Sequence, residues 1–179
     1  VAADTLRLVD LSNRRHLLDV GGGTGAFLAE VGTAHPGLQL SLFDMPAVLA
    51  AVPAHLRDRL ALHPGSFRTD PLPQGADTIS LIRVLYDHDD ATVTDLLGKV
   101  FAALPPGGMI LVSEPMSGGD RPDPATDIYF AIYTLAMRTG RTRSAVEIGK
   151  MLSATGFTSV RLRPGDRPYV TSAVTGVRS

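Results

Sequence analysis

His16-Leu17-Leu18-Asp19-Val20 followed by Gly21-Gly22-Gly23-Thr24-Gly25-Ala26 is the stretch that decides the fold. The first run is short, apolar and bounded by glycine, the pattern of a buried strand. A helix-period segment from about Thr24 to Ala34 leaves directly from the glycines. Strand, bare loop and helix in immediate succession make half of a βα unit, whose loop brings backbone N–H groups close to a ligand at the helix N-terminus.

Outward from there the rhythm repeats. Leu38 to Phe43 reads as a second strand, with a short helix after Pro46, a residue preorganised for the first helical position. Arg59 to His63 reads as a third strand and Thr78 to Leu85 as the central one. Asp89 to Ala103 carries acid in its first turn and apolar residues at Val93, Leu96, Leu97 and Val100, a helix pattern. Pro105-Pro106-Gly107-Gly108 stops it, and Met109 to Ser113 is a fifth strand. A short helix, Ala2 to Leu11, precedes the first strand. Beyond Glu114 a loop to about Asp123 leads to an apolar helix, Asp127 to Met137, and then a helix from Ser144 to Thr155. Thr158 to Leu162 and Tyr169 to Gly176 flank Arg163-Pro164-Gly165-Asp166 as an antiparallel hairpin. Alternating strands and helices predict an α/β, Rossmann-like fold: a mainly parallel seven-stranded sheet closed by that hairpin, with helices on both faces.

The 179 residues form one domain spanning 1–179, with a net charge of -1 that advertises neither nucleic acid nor an anionic surface as partner. Absence of cysteine removes disulfides, thiolate metal sites and thiol nucleophiles. His16, His35, His55 and His63 show no ligand spacing, so no metal is expected.

The glycine loop fits a dinucleotide, but Asp19 tilts it toward S-adenosylmethionine (SAM). A carboxylate sits poorly beside a pyrophosphate and well beside the cationic amino-acid end of SAM. Gly25 adds the third glycine to Gly21 and Gly23 in a G-x-G-x-G turn, where bare backbone must approach an adenosyl ligand closely. Asp44, roughly one βα unit further on, stands where such folds place an acid on ribose hydroxyls. Met45 either packs on adenine or belongs to the core, and Gly65-Ser66-Phe67 falls where an adenine edge lies. An NAD-dependent oxidoreductase is the rival reading.

Leu81-Ile82-Arg83-Val84-Leu85-Tyr86-Asp87-His88, Leu104-Pro105-Pro106-Gly107-Gly108 and Val112-Ser113-Glu114-Pro115 give a closer likeness. With them the chain resembles the catalytic domain of the caffeate, flavonoid and hydroxyindole O-methyltransferases. The runs Arg83–His88, Ser113–Gly119 and Tyr133–Gly140 resemble more narrowly the bacterial hydroxyneurosporene (demethylspheroidene) O-methyltransferases, which methylate a tertiary carotenoid hydroxyl. The resemblance implies SAM as cosubstrate and S-adenosylhomocysteine as product, a small lipophilic hydroxylated substrate, and no metal. It gives Gly21 and Gly23 to the SAM loop, Asp44 to the ribose, Gly65-Ser66-Phe67 to the adenine, Arg83 to the cofactor's surroundings, and Glu114 to orienting the base. It also implies a helical dimerisation domain before Val1 in a homodimeric full-length protein, and a cytoplasmic enzyme peripheral to the photosynthetic membrane.

The chain departs from that pattern at the chemistry. Tyr86 stands at the family's general-base histidine, His88 at an adenine-stacking aromatic, Thr142 near a second orienting glutamate and Ser66 at an adenine-binding aspartate. Tyrosine, with a pKa of about 10, is a poor base. It can hold an alcohol by hydrogen bonding while Asp87, His88 or Glu114 accepts the proton. Asp87 alternatively caps the following helix, and His88 alternatively contacts the cofactor. The missing histidine also leaves open a non-catalytic SAM-binding module. Ile128 to Met137 is apolar nearly all round, either as core or as a wall for a hydrocarbon substrate.

Overall fold

The computed structural model describes residues 1–120, 124–137, 139–167 and 170–179. Asp123 at the end of the predicted loop, Arg138 in the run of likeness and Tyr169 at the start of the predicted last strand lie outside the described residues, as does the side chain of Met137.

Helix α1 (Ala2–Leu8) leads to β1 (His16–Val20), α2 (Ala26–Ala34), β2 (Gln39–Asp44), α3 (Pro46–Leu49), α4 (Ala54–Arg57), β3 (Ala61–Pro64) and β4 (Thr78–Ile82). A 3₁₀ turn, Leu85–Asp87, precedes α5 (Asp90–Ala103), β5 (Met109–Glu114), α6 (Pro124–Met137), α7 (Ala145–Thr155), β6 (Phe157–Arg163) and β7 (Ser172–Arg178). The strands form one seven-stranded sheet in the order β3-β2-β1-β4-β5-β7-β6. All pairs are parallel except those of β7 with β5 and β6.

Strands β1, β4 and β5 are apolar along most of their length because both faces are covered. One buried cluster joins Leu18, Ile79 and Ile110 to Val93, Leu96 and Leu97 of α5 and to Ile148 and Leu152 of α7. The other joins Leu17, Leu42 and Leu111 to Phe27, Leu28 and Val31 of α2. The chain order reverses between β1 and β4, which opens a crevice at their carboxyl ends, the place where open α/β sheets bind ligands.

Three local expectations are corrected. The central strand stops at Ile82 rather than Leu85, because Arg83 adopts φ 58, a left-handed conformation that breaks the ladder. Asp87 does not cap α5: Asp89 does, accepting from the Thr92 N–H at 2.8 Å. The hairpin connection is longer than the four predicted turn residues, with β7 starting at Ser172.

Candidate functional site

At the carboxyl ends of β1, β2, β3 and β4 lies a cleft of about 280 Å³. It brings together Gly21, Asp44, Met45, Gly65, Ser66, Phe67, Arg83, Asp87 and His88, nine residues the sequence singled out, with Arg68 and Val84, which it did not. A larger groove of about 850 Å³ lies at the amino ends of the strands, among Arg14, Arg15, His16 and Arg178. Parallel-sheet chemistry assigns function to the smaller one, since loops and helix N-termini converge there.

Asp19 lies behind this cleft rather than in it. Its carboxylate is fully buried at the end of β1, where Oδ1 accepts from the Ser80 hydroxyl at 2.6 Å and Oδ2 has no partner. Burial pushes its pKa up from 3.8 to about 7, against the Ser80 hydrogen bond and with a small push from Asp44. A Cβ on Gly22 would lie 2.2 Å from Oδ2, so only glycine lets the loop close over the acid. Asp44 ties the loop down from the other side. Its Oδ2 accepts from the Gly23 N–H at 2.9 Å and its Oδ1 from the Met45 N–H at 2.7 Å. Around the Cβ position of Gly23 there is open space. Met45 is 54% exposed, which excludes the core reading of that residue.

On the adenine-loop side the Ser66 N–H donates to Asp70 at 2.8 Å, so an acid is present but spent on the turn. Lys99 holds the loop by donating to the Phe67 and Arg68 carbonyls at 2.6 and 3.1 Å. Phe67 meets His88 edge-on, ring centroids 5.2 Å apart. Nδ1 of His88 lies 2.9 Å from Nη2 of Arg68. A guanidinium cannot accept, so Nδ1 accepts and the neutral ring's proton sits on Nε2. Burial, then the Arg68 charge, holds the imidazole below its ordinary 6.5. His88, which lines the cleft, therefore has Nε2–H as its donor. Arg68 was missed because it carries no motif, although its place just beyond Phe67 was a usable signal.

The turn from Arg83 to His88 is held against its own strain. Arg83 donates its N–H to the Ser113 carbonyl at 2.8 Å, and its guanidinium reaches the Tyr86 hydroxyl at 3.3 Å. A left-handed residue with a side chain costs roughly 1–2 kcal/mol. Glu114, at the end of β5, offsets this: Oε2 accepts from the Leu85 and Tyr86 N–H groups at 3.0 and 3.3 Å. Its Oε1 is buried without a partner. Burial pushes Glu114 up from 4.5 to about 7, while the Tyr86 amide and the Arg143 charge pull it down.

Tyr86 is buried and packs on α6, against Phe130 and Tyr133 at 5.7 and 5.8 Å between centroids. Asp87, half-buried, has its pKa raised chiefly by burial, against His88, a hydrogen bond from Tyr133 and Arg83. Its Oδ1 has no partner. Thus Asp87 and His88 share the cleft, whereas Tyr86 and Glu114 stand behind the turn. Among the described side chains of α6 only Phe130 is buried. Ile128, Tyr129, Ile132 and Leu135 are 60–80% exposed, so core packing does not explain that helix. Leu135 instead borders a groove of about 790 Å³ shared with Asp89, Ser117 and Thr142. Among the described residues no group of three or more His, Asp or Glu could hold a metal ion.

Comparison with known proteins agrees with this geometry. Residues 1–158 match the O-methyltransferase domain family. The demethylspheroidene O-methyltransferase of Cereibacter sphaeroides is 58% identical over 99% of this chain and 48% of its own length, and that of Rhodobacter capsulatus is 56% identical over 99% and 45%. The crystal structure of human N-acetylserotonin methyltransferase in complex with SAM superposes with a TM-score of 0.90 at 29% identity, covering 99% of this chain and 51% of that one. The chain spans about half the length of the curated relatives it matches. On the strength of that match the chain belongs to the O-methyltransferase domain family.

Proposed function

We propose that the chain is the SAM-binding and catalytic part of an enzyme that methylates a hydroxyl oxygen of a hydroxylated carotenoid. The observation that carries the reading is the 58% identity to a demethylspheroidene O-methyltransferase along nearly the whole chain.

The residues fit SAM. The buried Oδ2 of Asp19 lacks a partner beneath the glycine loop, and a cationic ammonium in the cleft answers its charge across the loop. Gly21 and Gly23 leave room for the ligand, Asp44 meets the ribose hydroxyls, and Met45, Gly65, Ser66, Phe67 and His88 surround the adenine. Arg83 closes the cleft between β4 and the turn. Bound there, SAM supplies an electrophilic methyl group on a sulfonium.

An aliphatic alcohol is too weak an acid to be ionised beforehand, so its proton leaves as the new C–O bond forms. Asp87 is the acceptor. It lines the cleft and is made more basic than an ordinary carboxylate by burial. His88 is unsuited because Arg68 occupies Nδ1 and Nε2 is protonated. Tyr86 and Glu114 support the turn, Tyr86 through α6 and Glu114 through the amides. The exposed apolar face of α6 suits a hydrocarbon substrate delivered from a membrane surface, though no described helix is long and apolar enough to cross one. A homodimer and a peripheral location complete the proposal by analogy with the family.

The test uses the full-length protein with labelled SAM and hydroxyneurosporene, beside calorimetry with S-adenosylhomocysteine and NADH. Transfer to the carotenoid hydroxyl is the expected result. Tight S-adenosylhomocysteine binding without transfer to any hydroxylated acceptor makes the protein a non-catalytic module, and binding of NADH alone makes it an oxidoreductase.

A further inference from the structure

We propose that Arg143 is a positioning residue for methyl transfer, its buried guanidinium fixing the backbone of the turn that carries Tyr86, Asp87 and His88. The inference rests on the reading of Asp87 as proton acceptor.

Arg143 precedes α7 and is wholly inaccessible to solvent. All five of its guanidinium hydrogens are used. Nε and one Nη2 hydrogen go to Oδ1 of Asp90, at 2.9 and 2.6 Å. The other Nη2 hydrogen goes to the His88 carbonyl at 2.9 Å. Nη1 donates to the Leu85 carbonyl at 2.8 Å and the Arg141 carbonyl at 3.3 Å. One planar cation thus bridges the first residue of the 3₁₀ turn, the residue just after it, and the start of α5.

The same turn is held by its amides from the opposite side, through Glu114. Cation on carbonyls and carboxylate on amides fix the backbone on both sides of Asp87. The segment leading to Arg143 is pressed flat against it. At Gly140, φ +80, a Cβ would fall 2.1 Å from the Tyr86 carbonyl oxygen. A buried cation is a costly way to fill space and a good way to fix geometry, because its fork-shaped donors specify direction as well as charge. Lysine, a point charge with three donors, cannot span Leu85, His88 and Asp90 together.

Arg143→Lys, Asp87→Asn and the double variant are compared with the parent in the full-length protein, measuring transfer to the carotenoid, thermal midpoint and S-adenosylhomocysteine affinity. Misplacing a reacting group by an ångström costs about 100-fold in rate, so Arg143→Lys loses about that much turnover. Affinity for S-adenosylhomocysteine falls by less, about tenfold at most, since of the loosened turn only His88 is assigned to the cofactor. In the Asp87→Asn background Arg143→Lys adds little, because an absent acceptor cannot be misplaced. Undiminished turnover of Arg143→Lys, or its full loss repeated on top of Asp87→Asn, overturns the positioning role and leaves Asp87 standing. Full turnover of Asp87→Asn overturns both. If Arg143→Lys does not fold, Asp90→Ala, which frees the same guanidinium from its solvent-facing partner, is held to the same outcomes.

Discussion

Asp19→Asn should make the unliganded protein more stable above neutral pH and a worse binder of SAM. Asp19 is buried at the end of β1, and its pKa stands near 7, raised from 3.8 by desolvation and slightly by Asp44. A native pKa above the unfolded one means that the folded state holds its proton while the unfolded chain has released it. Stability is therefore full below about pH 4 and falls as pH rises toward 7, where the native carboxyl also ionises. At about 1.4 kcal/mol for each pH unit, the interval corresponds to about 4 kcal/mol. Asparagine keeps an oxygen for the Ser80 hydroxyl and removes this penalty, while its amide inherits the unpartnered place of the protonated acid. Thermal melts of parent and variant at pH 5 and pH 8 measure the difference. The variant's advantage should grow by about 2–3 kcal/mol between them, or about 5–10 °C for a domain of this size. Calorimetry at pH 8 should show S-adenosylhomocysteine binding weakened about tenfold, because the charge facing the ligand's ammonium across the loop is lost. Equal melting differences at the two pH values would show that Asp19 is not held neutral by burial. Undiminished binding would remove it from the ligand site.

Gly22→Ala places a methyl 2.2 Å from Oδ2 of Asp19 and 2.6 Å from Leu42, and should destabilise the protein by about 1–3 kcal/mol in chemical denaturation. Asp44→Ala releases the Gly23 amide as well as the ribose, and should weaken S-adenosylhomocysteine about 10- to 100-fold with little loss of turnover at saturation. The His88 ring should titrate below 6.5 by NMR and move upward in Arg68→Met, because a cation on Nδ1 is removed; no upward movement would contradict the assigned tautomer. His88→Ala should lower cofactor affinity more than turnover.

The sheet was legible because its signals are local. Apolar runs bounded by glycine and proline gave all seven strands, five of them within two residues at either end, and the glycine loop, Asp19 and Asp44 follow one another along a single βα unit. What escaped depends on partners far along the chain. Leu81 to Leu85 reads as strand by composition, yet Glu114, a remote residue, takes the amides of Leu85 and Tyr86 and the ladder ends at Arg83. Asp87 and Asp89 are both plausible caps before α5, and only the geometry with Thr92 selects Asp89. Arg143 stands just before the helix read from Ser144 and was given no role, because its partners Leu85, His88 and Asp90 lie far back along the chain. Apolar periodicity did not say that α6 turns Ile128, Tyr129, Ile132 and Leu135 outward, since a core helix and an exposed wall are written in the same residues.

The departures from the family pattern gather around one turn, and together they make chemical sense. A histidine base suits a phenol, which ionises near neutral pH. With an aliphatic alcohol the gain lies in an acceptor already in place when the proton starts to leave, because no stable alkoxide precedes transfer. Tyrosine at position 86 cannot take that proton, but it fills the space against α6 and accepts a hydrogen bond from Arg83, which steadies the backbone beside Asp87. Histidine at position 88, fixed by Arg68 as a donor, keeps an edge contact with Phe67 where a larger aromatic ring is usual. On the proposed reading Asp87 is left as the acceptor, the one carboxylate of the turn that lines the cleft. Its basicity comes from desolvation, so covering the cleft with an apolar substrate should raise it further. In that case substrate binding itself prepares the acceptor, and the acid limb of kcat should lie at higher pH than that of kcat/KM. Coincident limbs would mean that burial by the substrate does no such work.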